Sequence, residues 1–173
     1  MRVVASAFTE LEIDRAGQNR GLWARRVVIA LFCVIAVLAL ADRFGQRATE
    51  SQAAGPAARM TLTAPETVRG GLLFQSRVEI HAVREIAFPH LVLDHGWIEG
   101  MQVNSIHPEP TGELNRDGRV VVTYDKLAAG DDLTVWLQFQ VNPTNTGRRS
   151  YGIELDDATT PLVHLSPTIT VLP

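Results

Sequence analysis

The chain holds five histidines (His81, His90, His95, His107 and His164) and a single cysteine, Cys33. Imidazoles and thiolates are the common ligands of zinc and the common bases and nucleophiles of hydrolases. Their spacing here supports neither use. No two histidines stand at i, i+2 or i, i+4, and no H-E-x-x-H run exists. His90, Asp94 and His95 come nearest to a ligand set, at a spacing that diagnoses no metal. Otherwise the histidines read as surface or strand-end residues. Cys33 lies inside an apolar run, away from any polar catalytic partner. No G-x-S-x-G surrounds Ser105, Ser150 or Ser166, and Gly70-Gly71 is too short to cradle a phosphate. The acid pairs Asp131-Asp132 and Asp156-Asp157 fall in predicted turns, where carboxylates cap backbone amides. The expectation is a non-enzyme with no cofactor and no metal.

Recognition is the chemistry that remains. In Leu133–Val141 the apolar residues Leu133, Val135, Leu137, Phe139 and Val141 alternate with Thr134, Trp136, Gln138 and Gln140. A strand with that period turns Trp136 away from the core, onto a polar face beside Gln138. A large aromatic there anchors interfaces, because it buries much area at small entropic cost. Trp97, in the His95-Gly96-Trp97 turn, extends such a patch at a loop end. The competing reading is intramolecular: a linker, a loop or the stem of Arg148 covers Trp136. The candidate surface is therefore Trp136, Trp97, Gln138 and Arg148.

The segment most constrained by physics is Val27–Ala41, fifteen residues with no charge or hydroxyl. As a helix it spans about 22 Å, short of a hydrocarbon core. Arg25, Arg26 and Arg43 extend it by snorkelling. Residues 25–45 thus read as a transmembrane helix in contact with membrane lipid. Five arginines against three acids in residues 1–26 place the N-terminus in the cytoplasm. Ala39-Leu40-Ala41 also fits a signal-peptidase site, the rival reading, but residues 1–26 are long for the leading part of a signal peptide. Residues 1–24 form a cytoplasmic tail, either disordered or with a short helix at Phe8–Arg15 that puts Phe8, Leu11 and Arg15 on one face. Residues 46–59 read as a linker, helical up to Ala54 and broken at Gly55-Pro56.

From Met60 onward the period is two. Strands are predicted at Met60–Ala64, Leu72–Val83, Glu85–Leu93, Gly100–Ile106, Arg119–Tyr124, Leu133–Val141, Arg149–Leu155 and Thr168–Leu172, with a short one at Leu162–Leu165 folding back across the 156–159 turn. With no cysteine beyond Cys33, this region relies on its core. About 110 residues suffice to bury roughly 60–70% of the unfolded surface. Residues 42–173 carry eleven basic and sixteen acidic side chains, an acidic balance unsuited to nucleic acid.

The strand Val120–Tyr124, the turn Leu127-Ala128-Ala129-Gly130-Asp131 and the strand Leu133–Val141 ending in Asn142-Pro143 resemble the immunoglobulin-like β-sandwich modules of bacterial envelope proteins. The resemblance covers about residues 60–173. It implies an all-β, immunoglobulin-like sandwich serving as spacer, adhesion unit or docking surface, and it assigns no binding residue. The expected protein is a single-pass membrane protein whose extracytoplasmic domain, 60–173, docks a membrane or envelope protein without catalysis. An envelope glycan- or ligand-binding module and a small extracytoplasmic hydrolase are the alternatives.

Overall fold

The computed structural model describes residues 3–41 and 46–173, with side chains from Gly21 onward. It divides into two units, residues 1–44 and 45–173. The first is one helix, α1 (Val3–Leu40), which includes the short Phe8–Arg15 helix expected of the tail. Within α1, Gly21–Leu40 has a mean hydropathy of 2.2, and its side chains meet no protein core. Twenty residues at 1.5 Å each give about 30 Å, long and apolar enough to cross a bilayer. This candidate span thus starts four residues before the expected 25–45. It takes in Leu22 and Trp23, and the helix stops at Leu40, ahead of the polar Asp42-Arg43. Arg26 lies over the Trp23 ring, 5.8 Å from its centroid. Residues 42–45 of the expected 25–45 span lie outside the described residues.

The second unit is the expected all-β, immunoglobulin-like sandwich, and it begins earlier than Met60. Ala48–Ala54 forms β1, paired antiparallel along its whole length with β2 (Ala58–Pro65). The expected linker 46–59 is therefore largely strand and tight turn. Gly55-Pro56 does break the chain, but it closes a hairpin, with the Gly55 N–H donating to the Ala58 carbonyl at 2.8 Å. ATESQAA has little intrinsic preference for a strand; the edge of an existing sheet supplies its partners.

The order along the chain continues with β3 (Thr67–Arg69), β4 (Leu73–Ala82), β5 (Pro89–Leu93), β6 (Met101–His107), β7 (Gly112–Arg116), β8 (Arg119–Thr123), β9 (Asp132–Val141), β10 (Gly147–Ser150), β11 (Ile153–Asp157), β12 (Thr160–Leu165) and β13 (Thr168–Leu172). One five-stranded sheet has the order β1-β2-β4-β9-β6, the other β12-β11-β5-β8-β7, and a small sheet joins β10-β13-β3. Two predicted strands are shorter or divided. Glu85–Leu93 is regular only from Pro89, and Arg149–Leu155 breaks at Tyr151-Gly152, its halves entering different sheets.

A single apolar core joins the sheets. From the first come Met60, Leu62, Val78, Ile80, Val135, Leu137 and Phe139; Leu91, Leu93, Val122, Ile153 and Leu155 come from the second. The inward row of β9 is the one the alternation predicts, and in β4 Phe74, Ser76, Val78, Ile80 and Ala82 turn inward, with Ser76 fully buried. Trp97 fills the centre. It ends a single 3-10 turn, His95–Trp97, with its ring 5.0 Å from Phe139 and edge-on to Tyr151 at 4.7 Å. Its indole N–H donates to the Gly152 carbonyl at 2.8 Å, and the Asp94 amide shares that acceptor at 3.0 Å. The two segments approach so closely that a Cβ on Gly96 would overlap the Ser150 carbonyl oxygen, and one on Gly152 the Asp94 carboxylate. Glycine at both positions lets the indole reach the core.

Candidate functional site

The outer face of the first sheet is built by register. Odd-numbered residues of β4 and even-numbered residues of β9 point away from the core, and pairing lines them up across strands. Glu50, Thr63, Arg77, Trp136 and His107 form one straight row over five strands. Trp136 is 37% exposed in the middle of it. The guanidinium of Arg77 lies over the indole, 5.4 Å from its centroid, and one of its terminal nitrogens is 3.5 Å from the Glu79 carboxylate. Arg77 thus interacts with both a π-face and an acid, and its Nε is shielded from solvent with no partner among the described residues.

Beside this row lies a shallow trough of about 540 Å³, lined by Arg59, Thr61, Glu79, His81, Asp132 and Thr134. His81 Nδ1 meets Asp132 Oδ1 at 2.7 Å on its rim. On the other side, Gln138 stands between Gln75 and Ser105, and the Ser105 hydroxyl donates to its side-chain carbonyl at 3.3 Å. The arrangement offers one amphipathic aromatic, two cations, acids and amide groups on a nearly flat surface. It suits recognition of a polar surface with an apolar point.

Four residues were expected to make the surface. Trp136 and Gln138 share the outer face of the first sheet. Arg148 belongs to β10 in the small sheet, where it donates to the Thr168 hydroxyl at 3.2 Å; the arginine over Trp136 is Arg77. Trp97 is excluded, being fully buried with its N–H satisfied inside the core. The cross-strand neighbour Arg77 was legible as outward-facing but not as a partner of Trp136. That pairing needs the β4–β9 register, which joins residues about sixty positions apart.

The histidines and acids go to separate duties. Among the described residues no three of His, Cys, Asp and Glu gather as a metal site. Asp131 does cap a turn amide, accepting from Ala128 at 2.7 Å; Asp157 instead ends β11 and accepts from the distant Phe88 amide at 2.8 Å. Asp156 does not: it lies within β11, almost wholly buried, and is held by Arg116 at 2.7 Å. Arg116 also donates to the Ala158 carbonyl at 2.9 Å. Arg119 reaches Glu154 at 2.9 Å; burial lowers its pKa, but the hydrogen bond to Glu154 and the carboxylates of Glu154, Asp94 and Asp156 together raise it above the usual value. Both arginines leave the β7–β8 hairpin and meet acids on β11, so the ion pairs cross β5. Between those strands Val92 pairs in register with Glu154 and is fully buried.

No protein-family model matches this chain, and no curated protein matches it. Solved structures with related architecture include a CARDB domain from Pyrococcus furiosus, at 11% identity and a TM-score of 0.45, covering 69% of this chain and 98% of that one. The third cohesin of ScaC from Acetivibrio cellulolyticus, solved in complex with the ScaB dockerin, shows 14% identity and a TM-score of 0.43, covering 62% and 94%. AvmM, which catalyses macrocyclization in alchivemycin A biosynthesis, shows 9% identity and a TM-score of 0.42, covering 75% and 90%. Likenesses this distant transfer no function to this chain.

Proposed function

We propose that this chain is a membrane-tethered, non-enzymatic interaction module, an accessory component of a cell-envelope complex. Residues 21–40 serve as an uncleaved anchor, the N-terminus lies in the cytoplasm, and the β domain docks a membrane or envelope protein outside it. The observation that carries the reading is the Arg77–Trp136 stack on an otherwise polar sheet face. An indole left 37% exposed at mid-strand lies outside the core, with Arg77 over its ring in the cross-strand row. Rigid, partly exposed tryptophan and arginine are the residues most enriched at binding hot spots. A tether lets such a face act with modest affinity, because it raises the effective concentration of a co-resident partner.

A glycan platform needs two aromatics on one surface. With Trp97 in the core, Trp136 has no indole companion on its face, and the protein-docking reading is favoured. The test is Trp136→Ala in the full-length protein, purified from membranes with its partners. Co-purification should fall by about thirtyfold, a hot-spot loss of about 2 kcal/mol, while the melt of the β domain stays nearly unchanged. A melt lowered by many degrees with co-purification intact would assign Trp136 to the domain's own packing. Terminal sequencing that begins at Asp42 would replace the anchor with a cleaved signal.

A further inference from the structure

We propose that the tip formed by Leu72 and Leu73 rests on the lipid surface from which the anchor emerges, with Arg69 and Arg148 against acidic headgroups. This rests on the membrane tether proposed above. The tip follows the Gly70-Gly71 turn at the start of β4. Leu72 and Leu73 are 49% and 50% exposed, consecutive, and outside the core. Leu172 is beside them, since the Gly70 amide donates to its carbonyl at 2.8 Å. Pro143 closes the patch, its Cγ within van der Waals reach of a Cβ built on Gly71. Scattered exposed leucines need no explanation, but three gathered at one end with a proline make a contiguous apolar tip.

Two observations name the occupant. The first is the path of the chain. Gln46, where the β domain begins, donates its side-chain amide to the Leu73 carbonyl at 3.4 Å. Only five residues separate Gln46 from Leu40, the last residue of α1, and a chain of that length reaches no further than about 20 Å. A surface that Leu40 leaves is therefore always within reach of this tip, and it is the one partner the sequence itself supplies. The second is charge. Arg69 immediately precedes the turn and pairs in register with Leu172, and Arg148 stands exposed on β10, the strand beside β13. Leucine with flanking arginine suits the bilayer interface, where apolar side chains sink to the acyl boundary and guanidinium groups meet phosphates. Protein–protein docking asks for about 800 Å² per partner, more than three leucines and a proline provide.

The test uses the full-length chain in vesicles of phosphatidylcholine and phosphatidylglycerol. Cys33→Ser removes the native thiol, and Leu72→Cys or Lys126→Cys, the latter at the other end of the sandwich, receives an environment-sensitive fluorophore. Floated vesicles carrying the Leu72→Cys label should be quenched several-fold more by nitroxide-bearing lipid than those labelled at Lys126→Cys. That difference should shrink in pure phosphatidylcholine and with Arg69→Gln and Arg148→Gln. Protein that floats but shows equal, aqueous quenching at both positions overturns the tip contact alone. Protein that fails to float overturns the anchor and the tip together. Shielding of the Leu72→Cys label that persists in detergent and grows with protein concentration assigns the tip to a second copy, and overturns lipid as its occupant.

Discussion

Arg116→Ala tests whether the ion pairs across β5 hold the second sheet together. In the native protein, Arg116 neutralises the Asp156 carboxylate, whose side chain is 3% exposed, while Arg116 itself keeps 24% exposure. The other carboxylate oxygen, Asp156 Oδ1, has no partner among the described residues, so the arginine is its main compensation. Truncating one member of a buried pair costs about 3–5 kcal/mol, because the remaining charge is stranded. Water reaches part of this arginine, which places the loss toward the lower bound. The lost bond to the Ala158 carbonyl adds about 1 kcal/mol. The expected total is about 3–4 kcal/mol, or roughly 10 °C in melting temperature for a domain this size. The assay is urea unfolding of residues 46–173, a fragment that retains β1. Adding Asp156→Asn to Arg116→Ala removes the stranded charge and should recover about 2 kcal/mol. A loss below about 1 kcal/mol for Arg116→Ala, or a double variant no better than the sum of the single ones, would refute a structural role for the pair.

Leu137→Ala, at the fully buried centre of β9, should cost about 2–5 kcal/mol in the same unfolding assay; a small effect would mean the strand's faces are reversed. Trp97→Phe should lower stability by more than about 1 kcal/mol, because it strips the bond to the Gly152 carbonyl and opens space beside Tyr151; unchanged unfolding would contradict the core placement. Alkali should weaken the domain over a defined window. The Tyr151 phenol is pushed up to about 12, first by burial and then by the Glu66 carboxylate. A folded value above the unfolded one near 10 makes this contribution complete below pH 10 and lost as the pH rises to 12, about 2–3 kcal/mol in all. Urea midpoints measured across that window should show the decline, and Tyr151→Phe should shallow it.

The strands that alternation revealed are those with one face in the core and the other in water. β4 and β9 sit inside their sheet, and every second residue is forced inward, so their pattern is strict. The strands missed lie at edges or are very short. ATESQAA in β1 and GELNR in β7 are polar edge strands, and β3 has three residues. Their structure comes from a neighbour, which leaves little mark on composition. Trp97 misled for a related reason. Turn residues have no periodicity to aim them, and the partners that draw the indole inward, Phe139, Tyr151 and Gly152, lie over forty residues away. The Arg116–Asp156 pair was illegible because Asp156 looks like a turn cap until β11 is paired with β5.

The β1–β2 hairpin also decides how the domain bears load. A tension applied through Gln46 along β1 meets a ladder running from Ala48 opposite Pro65 to Ala54 opposite Arg59, with hydrogen bonds lying across the direction of pull. Those bonds are sheared together instead of being unzipped one at a time. Had residues 46–59 been a loose linker, it would have stretched first and insulated the fold. As a paired strand it passes force directly into the sheet that carries Trp136.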